Sequence, residues 1–112
     1  MSVRIAVATT DGKVVNEHFG RASAFYILEL DEAGYRLMEK RETAPVCAGG
    51  THDDRAMGNT VALLGDCRAV LVSRAGSGAK RSLEIQGISV FEIGLPINEA
   101  LDKLRAYYYK KR

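Results

Sequence analysis

The sequence predicts an α/β domain: a sheet with helices on both faces and a hairpin along one edge. Three observations predict it. The segments read in the order three strands, helix, strand, helix, strand, helix. The first strand is apolar on both faces beyond Arg4, as a central strand covered on both sides must be. The last helix carries an apolar stripe, Ile97, Leu101, Leu104 and Tyr108, that faces a single layer.

Val3 to Thr9 reads as the first strand, with Val3, Ile5 and Val7 on one face and Ala6 and Ala8 on the other. Asp11-Gly12 is a turn signal, and Asn16 to Gly20 is a short irregular segment. Ala24 to Leu30 is aromatic and branched, hence a strand. Tyr35 to Thr43 follows a short Asp31–Gly34 loop to close a hairpin. Its charges, Arg36, Glu39, Lys40, Arg41 and Glu42, suit an exposed edge. Ala44 to His52, with Pro45, Gly49 and Gly50, reads as a mobile loop. Asp53 or Asp54 can cap a helix to about Leu64, with Met57, Val61 and Leu64 on one face and Gly58 as a local cost. Ala69 to Val72 is a short buried strand. Ser77 can cap a helix that ends near Gln86 with Gly87 as its stop. Ile88 to Ile93 is a further strand, and Asn98 can start the last helix.

With 112 residues, 46% hydrophobic and 27% charged, the chain reads as one globular domain with room for a core. Its net charge of +2 does not call for nucleic acid or an anionic membrane as partner. No apolar run is long enough to span a bilayer, and Met1 to Thr10 lacks secretory-signal features, so a cytoplasmic location is expected. Cys47 and Cys67 are too few for a disulfide scaffold, and both are expected as thiols.

The chemistry-bearing residues are few. His18 follows the first strand and its turn, in Glu-His-Phe-Gly; Cys47 and His52 flank the two glycines of the long loop. Imidazole suits iron, zinc or copper, and thiolate suits iron–sulfur species. Cys-x4-His alone fixes neither metal nor geometry, and a closed zinc cage would need more ligands, for which the sequence offers His18 and Cys67. Cys67, before a buried strand, reads as a small hydrophobe, and a lone loop histidine such as His52 can equally be a solvated residue. Arg74 to Ala79 opens a helix after a strand, but Arg81 stands where a dinucleotide fingerprint needs its third glycine. Gly76 and Gly78 thus serve chiefly a tight turn, with anion contact as the second reading. Asp11, Asp53, Asp54 and Asp66 fit turns and helix caps better than a two-metal nuclease. The basic C-terminal end, Lys103 to Arg112, fits a solvated helix terminus.

At these residues the chain resembles the dinitrogenase iron–molybdenum cofactor biosynthesis family. The resemblance rests on Ile5-Ala-Val-Ala-Thr-Thr-Asp-Gly, Val15-Asn-Glu-His-Phe-Gly-Arg21 and Phe25 to Leu30. It continues through Cys47 and His52, Asp66 to Val72, Gly76-Ser-Gly-Ala, Leu83, Gly87 to Phe91 and Pro96 to Leu101. It implies a three-layer α/β/α, ribonuclease-H-like fold with a mixed five-stranded sheet. It also implies non-enzymatic binding or carrying of an iron–sulfur or iron–molybdenum-type cluster or its precursor. The expected cofactor-binding residues are His18, Phe19, Gly20, Arg21, Cys47, His52, Gly76 and Ser77, with His18, Cys47 and His52 as metal ligands. Arg21 and the helix-start amides near Ser77 would offset the charge of a sulfide cluster. Cofactor-maturation or acceptor proteins are the expected partners. The competing readings are a single-metal or redox-sensing module and an interaction domain with a vestigial site, whose contact is the Tyr35–Thr43 edge; an enzyme ranks after them for want of a nucleophile–base pair.

Overall fold

The computed structural model describes residues 2–43 and 54–109, the side chains of residues 54–56 excepted. The elements are β1 (Val3–Ala8), a 3₁₀ turn (Phe19–Arg21), β2 (Ala24–Leu30), β3 (Tyr35–Glu42), α1 (Asp54–Leu63), β4 (Ala69–Val72), α2 (Ser77–Ile85), β5 (Ser89–Glu92) and α3 (Ile97–Tyr109). The five strands form one mixed sheet in the order β3-β2-β1-β4-β5. β1, β2 and β3 pair antiparallel, whereas β4 joins β1, and β5 joins β4, in parallel.

Strand alternation divides the core into two layers. Ala6 and Ala8 of β1 pack with Met57 and Val61 of α1 and with Ala79 and Leu83 of α2. Ile5 and Val7 face the other way, against Ile97, Ala100, Leu101 and Leu104 of α3. The central strand is therefore buried on both sides: Ile5, Ala6, Val7 and Ala8 are wholly inaccessible. None of the described helices is long and apolar enough to cross a membrane.

The stops and starts have local causes. Gly12 (φ +74°) makes the turn after β1, where the Asp11 carboxylate accepts the Lys13 and Val14 amides. Gly87 (φ +80°) ends α2: its N–H bonds Glu84 O while that of Ile88 bonds Leu83 O, and the Ile88 side chain is buried beside Leu83. The residue before α2 is Gly76, in extended conformation and without a side-chain cap, so the Ser77 cap expected from the sequence is not used. Likewise α3 starts at Ile97, one residue before the expected Asn98.

β3 lies on the sheet edge, as its charges predict, and carries a second device. Ile27 pairs with Glu39 and Leu28 with Leu37, so Met38 is an extra residue that breaks the ladder. A bulge amid five charged side chains makes this edge a poor template for another strand.

One ion cluster ties the edge to the helix layer. The Arg41 guanidinium donates to Leu63 O at the end of α1 (2.8 Å), to both Asp66 oxygens (2.6 and 2.9 Å) and to Glu39 (2.8 Å), and Arg4 joins Asp66 from β1. Asp66 occupies a turn as expected, but its partners, 25 and 62 residues away, give it this further role.

Candidate functional site

The parallel strands β1, β4 and β5 all end on one side of the sheet, where open α/β sheets bind ligands. The chain from Glu17 to Phe19 caps this side as a short extension of the sheet. Ser73 N–H bonds Glu17 O (3.0 Å), Phe19 N–H bonds Arg74 O (2.9 Å), and His18 and Arg74 form an isolated parallel bridge. Between this cap and the β4–α2 turn lies a cleft of about 770 Å³, within the usual size of ligand sites. His18, Gly20 and Arg21 line one wall; Ser73, Arg74, Ala75 and Gly76 line the other; Glu92, at the end of β5, completes it.

The side chains of the His-Phe-Gly-Arg run diverge. His18 and Arg21 are exposed, whereas Phe19 is 1% exposed and its ring packs 5.6 Å from that of Phe25. The ring expected among the cofactor-binding residues therefore belongs to the core. What Phe19 supplies to the cleft is an anchor: a buried ring and a backbone bond on either side of which His18 and Gly20 are held. Ser77, expected with Gly76 at the site, opens α2 beside the cleft wall and is not one of the lining residues.

Charge in the cleft is mixed and arranged. Arg21 and Arg74 bring two guanidinium groups, while the Glu92 carboxylate accepts Ala75 N–H (2.8 Å) and pairs with Lys80 (2.9 Å). The Ala75 amide, followed by Lys80, holds the Glu92 carboxyl below the ordinary carboxylate range. Ser73, Arg74, Ala75 and Glu92 were not singled out from the sequence as site residues. Their signal was nevertheless present: each sits at, or just after, the carboxyl end of a parallel strand.

The metal-ligand expectations divide. Cys47 and His52 lie outside the described residues. β3 brings the chain to Thr43 at the cleft side of the sheet, and α1 carries it back toward Cys67, where β4 begins. Cys67 itself is 5% exposed at the far side, and burial pushes its thiol up to about 12, in keeping with the small hydrophobe expected from the sequence. Among the described residues no group of three or more His, Cys, Asp and Glu side chains could hold a metal ion, and His18 is the imidazole among them that lines the cleft.

Fold and cleft together define an α/β domain whose cleft is walled by turns at the ends of parallel strands. The model of the family described as "dinitrogenase iron-molybdenum cofactor" matches residues 1–107, and the chain belongs to that family. It is 37% identical over 107 residues to the FeMo cofactor biosynthesis protein NifB of Frankia alni, covering 93% of this chain and 21% of that protein. It is 39% identical over 99 residues to NifB of Chlorobaculum tepidum, covering 87% of this chain and 22% of that protein. The chain thus spans about a fifth of the length of these relatives. Among solved structures it shares its fold with PH0822 (TM-score 0.70, 19% identity, covering 93% of this chain and 90% of that one). It also shares it with the apo orange protein of Desulfovibrio gigas (TM-score 0.62, 24% identity, covering 90% and 85%).

Proposed function

We propose that this domain binds an iron–sulfur or iron–molybdenum-type cluster, or a precursor of one, as cargo in cofactor biosynthesis and hands it on without transforming it. The observation that carries the proposal is His18, an exposed imidazole lining a cleft that Arg21 and Arg74 also line. A neutral imidazole offers one exchangeable bond to iron, and the two guanidinium groups answer the negative charge of a sulfide cluster. Cys47 and His52, the ligands that the family resemblance implies, would add a thiolate and a second imidazole. Metal binding would favour deprotonation of the Cys47 thiol. The family, and the relatives named for FeMo cofactor biosynthesis, support the same cargo. Few protein bonds favour release, so a donor and an acceptor among cofactor-maturation proteins are the partners this role requires.

Anaerobic loading with iron and sulfide tests the site. Wild type is expected to take up a cluster, and His18→Ala and Cys47→Ser to bind it about tenfold or more weakly, since loss of a ligand should exceed the tenfold or greater loss typical of outer partners. Equal affinities and identical spectra for all three proteins would remove these residues from the site. Uptake of a single zinc ion, with no sulfide retained, would replace cluster carriage with the single-metal reading.

A further inference from the structure

We infer that Glu92 sets the charge selectivity of the cleft: its carboxylate, held between the Ala75 amide and Lys80, offsets the arginines and so keeps an anionic guest loosely bound. The inference rests on the cluster-carrying reading and adds to it the residue that tempers affinity.

Glu92 lines the cleft with Arg21 and Arg74, yet it contacts neither of them by an ion pair found among the described residues; its partners are Ala75 N–H and Lys80 Nζ. One carboxylate oxygen is thereby directed to the β4–α2 turn and the other to Lys80 of α2. The carboxylate occupies the Ala75 amide, just ahead of the first residue of α2. It also pairs with Lys80, so that cation adds little to the pull of the arginines, and its charge acts on Arg74 as well. A cleft built only to seize an anion has no use for a carboxylate in its wall, whereas one that must later release it does. The geometry also separates charge from structure. Glutamine at 92 keeps an acceptor for Ala75 N–H but loses the charge, and it frees Lys80. Glutamine at 80 removes the cation and leaves Glu92 uncancelled. The two substitutions should therefore act on a charged guest in opposite directions.

The test compares wild type, Glu92→Gln and Lys80→Gln with two probes under anaerobic conditions: a synthetic thiolate-ligated iron–sulfur cluster of net negative charge, and Zn²⁺. Glu92→Gln is expected to bind the anionic cluster about three- to tenfold more tightly and Zn²⁺ no more tightly, the size following from one unit charge a few ångströms away in a partly solvated cleft. Lys80→Gln is expected to weaken the cluster by a similar factor, and both shifts should shrink in high salt. Equal loosening of both probes by Glu92→Gln would make the residue a structural brace only, and no change with either probe would end the inference. If wild type takes up no cluster, the carrier reading falls first and this inference with it; cluster uptake that the two substitutions leave unchanged overturns this inference alone.

Discussion

Phe19→Ala is expected to lower the unfolding free energy by about 3–5 kcal/mol, the usual cost of emptying a fully buried aromatic site. The ring is 1% exposed, tilted against Phe25, and surrounded by residues of the layer that packs beneath α1 and α2. For a chain of this length the loss should appear as a fall in melting temperature of roughly 10–20 °C. Phe19→Leu, which fills most of the space, should retain most of the stability. The substitution also bears on function, because Phe19 is one of two points at which the His18 segment is fastened to the sheet, Glu17 being the other. Cluster loading of Phe19→Ala should therefore fall even below its melting temperature, while that of Phe19→Leu stays near wild type. A Phe19→Ala protein that melts with wild type but no longer loads would return the ring to the role of a ligand contact.

Arg41→Ala is expected to cost about 2–3 kcal/mol, read from urea unfolding at neutral pH. Its guanidinium is 14% exposed and makes charge-assisted bonds to Asp66 and Glu39 as well as closing the α1 terminus at Leu63. Asp66 is 39% exposed, so solvent screens part of the attraction and the lower end of that range is favoured. Lysine at 41 should recover less than half, since a point charge cannot serve the forked carboxylate and the carbonyl together. The same pair gives a pH signature. Arg41, with help from Arg4, holds the Asp66 carboxyl well below its ordinary 3.8 in the folded state. A folded value below the unfolded one stabilises the protein above about pH 4, and this contribution is lost as the pH falls below that point. Asp66→Asn should thus be less stable than wild type at pH 7 but lose less between pH 5 and 2. Parallel pH profiles for the two proteins would show that the pair contributes nothing to acid unfolding.

What the sequence made legible follows the range of each interaction. Strand alternation in β1, the stripe of α3 and the glycine stop at Gly87 are local patterns, and each corresponds to the fold observed. The edge position of β3 was readable from its charges, but the Met38 bulge was not, because register belongs to a pair of strands. Asp66 looked like a turn residue because its partners are remote in the chain. The cleft follows the same rule. His18, Gly20, Arg21 and Gly76 carry their own motifs, whereas Glu92 acquires its place by meeting the Ala75 amide 17 residues earlier. Phe19 was misplaced for a different reason: an aromatic residue between His18 and Gly20 reads as part of a binding motif, while its burial depends on β2 and the helix layer.

The central claim is that the His18 cleft carries a sulfide-bearing cluster. It is tested most directly by the metal and acid-labile sulfide content of the protein purified without oxygen from its own host. Iron and labile sulfide together, retained by wild type and depleted in His18→Ala, are the predicted result. A single zinc ion without sulfide, or iron and sulfide held equally by both proteins, would contradict it.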